Sequence, residues 1–131
     1  MNSKLGIRIS GNVVQGARYG TKLGFPTANL ARRQYSKLKN KPKLGVWAGT
    51  AILPSGKNYK AGIVIGPIDK KGLPKIEVYL IGFKGNLYGK YVSICLNTYI
   101  RSFKKFKDVK KLKQQIKKDI KIIKEIVNSN K

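Results

Sequence analysis

Fifteen residues, Gly16 to Leu30 (GARYGTKLGFPTANL), concentrate the types that could handle phosphate and metal. Gly16, Gly20 and Gly24 permit backbone conformations and close approaches that a Cβ forbids. Backbone N–H groups freed in such a loop can cradle phosphate oxygens. Pro26 fixes its own φ and biases Phe25 towards an extended conformation, which argues against helix. Thr27 and Asn29 then lie two apart, and on an extended chain their side-chain oxygens share a side. Two neutral oxygens so placed suit a hard cation such as Mg2+, provided phosphates bring the negative charge. The same composition also describes an ordinary turn whose Thr and Asn satisfy local backbone. It does not match the standard nucleotide motifs: Gly11 to Gly16 has P-loop glycine spacing, but Ala17 stands where the lysine belongs, and no G-x-G-x-x-G occurs.

Acid–base chemistry has few candidates. The carboxylates are Asp69, Glu77, Asp108, Asp119 and Glu125. Three of them fall in a C-terminal helical pattern and Asp69 in a loop. Glu77 alone sits inside a strand pattern, between Ile76 and Val78 and on the face of Tyr79 and Ile81. A carboxylate there is costly to bury unless partnered or functional. A solvent-facing glutamate on an open sheet face is the alternative.

The heptapeptide Gly24-Phe-Pro-Thr-Ala-Asn-Leu30, following a glycine-rich loop, resembles the signature of the riboflavin kinase (flavokinase) family. The resemblance continues in order through Gly45-Val46-Trp47, Ile76-Glu77-Val78, Leu87-Tyr88-Gly89 and Ile100-Arg101 to Phe106. It implies transfer of the γ-phosphoryl of ATP to the terminal ribityl hydroxyl of riboflavin, giving FMN and ADP. By the same resemblance Glu77 is the catalytic base, and Thr27 and Asn29 hold Mg2+ against the phosphates. Gly16, Gly20, Lys22, Thr27, Leu80 and Tyr88 then lie on the nucleotide side, and Arg101, Lys104 and Phe106 contact the flavin. Thr21, the Gly66-Pro-Ile-Asp69 loop, Tyr79 and Phe103 depart from the family pattern. Bacterial relatives carry an adenylyltransferase domain ahead of this one; the chain begins at the kinase-like region, so FAD synthesis is not expected.

The elements that must position these residues read as mainly β. Residues 5–15 alternate as a first strand, and 31–44 are a basic loop. Strands follow at 45–53, 58–66, 76–83 and 87–100, with Pro54-Ser-Gly56 and Lys84-Gly-Asn86 as turns and 66–75 as loop. Short strands without intervening helices predict an antiparallel barrel or sandwich. The resemblance narrows this to a six-stranded Greek-key barrel over about 5–100. From Asp108, a candidate N-cap, Val109, Leu112, Ile116, Ile120, Ile123 and Val127 form one stripe of an amphipathic helix that packs on the barrel.

The sequence of 131 residues is one domain with a modest core. It has no histidine and one cysteine, Cys95. That excludes histidine-dependent triads, histidine or thiolate zinc sites and an internal disulfide. No run is apolar enough to span a membrane or to act as a signal peptide, so a monomer in the cytoplasm is expected. The net charge of +24 admits a non-catalytic barrel that binds RNA or a ribonucleoprotein as the alternative function. The charge is dispersed, however, and 24 of the 29 basic residues are lysine, whereas base-reading sites favour arginine. Weak, non-specific nucleic-acid affinity is the expectation from charge alone.

Overall fold

The computed structural model describes residues 6–14 and 27–129. Six antiparallel strands close into a barrel in the order β1-β2-β5-β4-β3-β6, with β6 returning to β1. The strands are β1 (Ile7–Val14), β2 (Ala28–Leu30), β3 (Gly45–Ile52), β4 (Asn58–Ile68), β5 (Pro74–Leu80) and β6 (Tyr91–Arg101). A one-turn helix, α1 (Arg33–Ser36), and a long C-terminal helix, α2 (Val109–Ser129), complete the described chain. Strands β3, β4 and β5 form a meander joined by short turns. β2 lies beside β5, and β6 beside β3, each through a longer connection. Both arrangements are Greek keys.

Alternation decides which side of each strand is core. Ile76, Val78 and Leu80 are buried on β5 while Lys75, Glu77 and Tyr79 are half-buried on its other face. Ile63 and Ile65 on β4 and Ile94 and Leu96 on β6 fill the interior with Ile9, Val13 and Leu30. Each fully buried aliphatic of this kind contributes about 1.5–3 kcal/mol relative to exposure. Val46, Ala48 and Ile123 are also buried, but they form a layer outside the barrel, where α2 packs on β3 and β4. Gly62 makes that packing possible, because a Cβ there would stand 2.8 Å from Ile123 Cδ1.

The α2 start agrees with the capping expectation: the Lys111 N–H donates to Asp108 Oδ1 at 2.8 Å. Of the predicted stripe, Ile123 is buried and Leu112, Ile116 and Ile120 are half-buried. Val109 is 48 % exposed, and the Val127 side chain lies outside the described residues.

Several boundaries differ from the sequence reading. The expected loop 31–44 contains α1, closed by Tyr35 and Lys37 N–H bonds to Arg32 and Gln34 carbonyls and by the Tyr35 hydroxyl donating to the Pro42 carbonyl. Part of the expected 66–75 loop is strand, because β4 runs on to Ile68 and β5 starts at Pro74, which pair with each other. Proline is tolerated at a strand's first residue. β5 ends at Leu80 rather than Phe83, and Leu87-Tyr88-Gly89, expected as strand, is a turn. There the Gly89 N–H donates to the Val13 carbonyl, and the Lys90 carbonyl accepts from the Val13 N–H. Gly89 has φ +81°, a left-handed conformation that ends strand pairing.

The β4–β5 connection is tied to the chain leaving β2. Asp69 accepts the N–H groups of Lys71 and Leu73 and pairs with Arg32. The Leu73 N–H above all, with Lys71 and Arg32 adding, holds the Asp69 carboxyl below its usual range against an opposing desolvation larger than any single contribution of those two. A carboxyl lowered on folding stabilises the fold above its unfolded value, near 3.8, and loses that contribution as pH falls through the folded value. Asp69→Asn should therefore melt below the wild type at pH 6, and the gap should narrow as pH falls below 3.8 and on through the folded value. A gap of constant size across that range would show that the carboxylate charge plays no part.

Candidate active site

The residues singled out from sequence converge on the outside of the barrel. Asn29 on β2 is paired with Glu77 on β5, and on its other side with Val14 on β1. Leu30 and Ala28, its neighbours, face the core, so Asn29 faces outward with Glu77. Asn29 is nevertheless only 8 % exposed. Thr27 immediately precedes β2, and its hydroxyl oxygen is buried. Antiparallel partners have Cα atoms about 4.5–5.5 Å apart, so the Asn29 amide and the Glu77 carboxylate occupy one small patch. Glu77 is half-buried, and no ion pair among the described residues engages it. A carboxylate committed to no cation keeps its acceptor capacity for a substrate proton.

The outward row continues around the barrel. Glu77 pairs with Val64, Val64 with Val46, and Val46 with Arg101. Three inter-strand steps of about 4.8 Å put Glu77 and Arg101 roughly 14 Å apart along the sheet, less across its curvature. A carboxylate and an amide thus stand at one end, an arginine at the other, and two valines between. Val64 is half-buried and Val46 is 6 % exposed, so the row is open towards its Asn29–Glu77 end and covered over Val46.

Two irregularities on β6 precede Arg101, and they cancel, so that it faces outward like Ser93 and Cys95. Ala48 pairs with Thr98 but Gly49 with Leu96, and Val46 pairs with Arg101 but Trp47 with Tyr99. Asn97 and Ile100 are therefore extra residues on β6. A one-residue bulge exchanges inward for outward positions beyond it; the first turns Tyr99 inward with Trp47, and the second restores the original alternation, which leaves Arg101 on the face of Val46. Lys104 is exposed and Phe106 half-buried on the segment that follows β6. Tyr88 is 60 % exposed on the turn bonded to Val13, one residue from the partner of Asn29. Leu80 is not on this face: its side chain is 6 % exposed within the barrel core. Gly16, Gly20 and Lys22 lie outside the described residues.

Two further residues escaped the sequence reading. Asp119 of α2 reaches Arg101, and Gln115 of the same helix reaches Asp119, although a helix that covers a barrel gives no sequence signal for such contacts. Phe103 packs its ring over Gly66, where a Cβ would come within 2.7 Å of the ring; the left-handed φ of +109° there also favours glycine.

No group of three His, Cys, Asp or Glu side chains comes together among the described residues. The neutral hard oxygens of Thr27 and Asn29, beside a carboxylate, fit Mg2+ in the company of phosphates.

A closed six-stranded antiparallel barrel with a covering C-terminal helix thus carries an Asn–Glu pair on its outer face. The riboflavin kinase family model matches residues 4–127, and the chain belongs to that family. It is 36 % identical over 124 residues to a bifunctional riboflavin kinase/FMN adenylyltransferase of Buchnera aphidicola from Schizaphis graminum, covering 92 % of this chain and 38 % of that protein. The chain thus spans well under half the length of the curated relative. A riboflavin kinase of Trypanosoma brucei has the same fold at a TM-score of 0.67 and 26 % identity, covering 97 % of this chain and 83 % of that one. A Streptococcus pneumoniae structure titled as a macrolide-efflux protein superposes at a TM-score of 0.77 and 27 % identity, covering 91 % of this chain and 38 % of that one. Family membership does not favour the alternative of a non-catalytic RNA-binding barrel. No helix among the described residues is long and apolar enough to cross a membrane.

Proposed function

We propose that the chain is an ATP:riboflavin 5'-phosphotransferase. The observation that carries the proposal is the pairing of Asn29 with Glu77 on the outer face of the barrel. In the reaction the ribityl 5'-hydroxyl oxygen bonds to the γ-phosphorus as the bond to the β–γ bridging oxygen breaks, and ADP leaves. Glu77 orients the hydroxyl and takes its proton. Positioning and charge stabilisation supply most of the rate, because phosphoryl transfer asks little covalent chemistry of the protein. Thr27 and Asn29 would hold Mg2+, which when bound neutralises charge on the phosphates. Gly16, Gly20 and Lys22 serve the phosphates, Tyr88 the nucleotide, and Arg101, Lys104 and Phe106 the flavin. A cytoplasmic monomer with only weak, salt-sensitive RNA affinity completes the reading. Incubation with riboflavin, ATP and Mg2+ should give FMN by chromatography; no FMN under any of these conditions would overturn it.

The metal role makes its own prediction. Neither Thr27 nor Asn29 is charged, so Mg2+ should bind the free protein poorly and the ATP complex well. Asn29→Ala should raise the Mg2+ concentration needed for half-maximal turnover and leave far-UV circular dichroism intact. An unchanged Mg2+ dependence would remove Asn29 from the metal.

A further inference from the structure

The C-terminal helix covers the outer faces of β3 and β4, and one of its acidic residues reaches past that cover to the end of the outward row. Asp119 is 6 % exposed, yet it is a carboxylate. Its oxygens receive Arg101 side-on: Nε lies 3.0 Å from Oδ1 and 3.2 Å from Oδ2, and Nη2 lies 2.7 Å from Oδ2. Gln115 Nε2, one turn earlier on the same helix, donates to Asp119 Oδ1 at 2.9 Å. The Ser102 carbonyl accepts an N–H from Arg101 Nη1 at 3.1 Å.

A guanidinium has five N–H donors in a fixed plane. The contacts above use the Nε–H, one on Nη2 and one on Nη1. One N–H on each terminal nitrogen is left with no acceptor among the described residues, and the side chain remains 18 % exposed. The fork is thus held on one edge and open on the other.

We propose that Asp119 is a positioning residue of the flavin site. From α2 it fixes the Arg101 guanidinium on the outer row before substrate arrives, and Gln115 fixes Asp119 in turn. The inference rests on the flavokinase reading of that face. Two physical consequences follow. Arginine is otherwise a long, rotamer-rich side chain, and ordering it beforehand removes that cost from binding. The pair carries no net charge, so it offers directed donors without the field that attracts polyphosphate. Its open edge suits neutral acceptors, the carbonyl oxygens or ring nitrogens of a heteroaromatic system. This sets the Arg101 end of the row apart from the Asn29–Glu77 end, where phosphate charge and metal belong.

An ion pair that merely staples α2 to the barrel would look the same at rest, so the test must separate the two roles. Asp119→Asn keeps the side-chain size and loses the charge and the second acceptor oxygen. In the full chain, the riboflavin KM and the riboflavin Kd from fluorescence quenching should rise about tenfold, the loss of a charge-assisted hydrogen bond. ATP KM and kcat should stay within about twofold. Asp119→Glu should recover part of the riboflavin affinity. Should Asp119→Asn fail to fold, Gln115→Leu carries the test, because it removes the hydrogen bond to Asp119 without changing charge; its riboflavin KM should rise about two- to threefold. A lower melting temperature with unchanged riboflavin KM in whichever variant folds would overturn the positioning role and leave the staple. The wild type is the separate control: failure to form FMN overturns the kinase reading, and the positioning role with it, whereas normal wild-type turnover beside an unaffected variant overturns only the role of Asp119.

Discussion

Glu77→Gln should slow single-turnover FMN formation by about two to four orders of magnitude, the contribution of a general base in a positioned site. Glutamine keeps the size and one acceptor oxygen but has no basicity to take the ribityl proton. Riboflavin and ATP binding should change little, since Arg101, proposed for the flavin, lies at the far end of the row and other groups are proposed for the phosphates. Stability should also hold. Glu77 has no ion-pair partner among the described residues, so the substitution leaves no buried cation behind. The measurement is FMN formation by rapid quench beside riboflavin binding and a melting curve. Near-wild-type turnover in a folded mutant would reduce Glu77 to a surface glutamate on a polar face. A collapse of the melting temperature would make it structural instead.

Gly49→Ala should cause a large loss of stability for a single methyl group. A Cβ on Gly49 would stand 1.8 Å from the Cys95 carbonyl oxygen, 2.9 Å from its carbon and 3.2 Å from Ile63 Cδ1. Two of those atoms are backbone, so no rotamer change relieves the contact; β6 itself must move away from β3. The residue also borders the bulge at Asn97, where the ladder is already irregular. Overpacking of this kind costs about 3 kcal/mol or more. At on the order of 4 °C per kcal/mol for a chain of this size, the melting temperature should fall by more than about 10 °C. Gly56→Ala is the comparison: no atom lies within 4 Å, and only the φ of +94° resists, at about 1–2 kcal/mol. An equal or smaller drop at Gly49 than at Gly56 would show that the β3–β6 spacing yields freely.

The barrel was legible where strands alternate over many residues between turns, as in β1, β3 and the centres of β4 and β5. β2 was not legible as a strand. Three residues behind a proline are too few to show a period of two, and only the barrel closing around Asn29 makes them one. The bulges on β6 were invisible for a related reason. Asn97 and Ile100 look like any strand residues, and what makes them extra is the register of Val46 to Gly49 opposite. The extension of β4 through Gly66 and Pro67 was hidden because both residues carry turn chemistry in isolation. Glu77 stood out as the one carboxylate in a strand pattern, and Thr27 and Asn29 as a like-facing pair. Their meeting across β2 and β5 is a property of topology that no local spacing contains. Asp119 was read as part of a charged helix because its neighbours Lys117, Lys118 and Lys121 are solvated; its burial depends on Arg101, which the bulge at Ile100 turns towards it.

The barrel's seam joins β1 to β6, with Ile7 opposite Leu96. On a ribosome adding about 5–20 residues per second, roughly 5–20 s separate the emergence of those two partners. The meander β3–β4–β5 is a run of three strands whose neighbours appear in succession, and it can pair as it is made. Asn29 must wait for Glu77, and β1 must wait longer still, its edge open to any passing strand until the last one arrives. The face proposed for the substrate is therefore completed late in synthesis. A growing chain passes through an interval in which the aliphatic lining is already made and the wall that hides it is not.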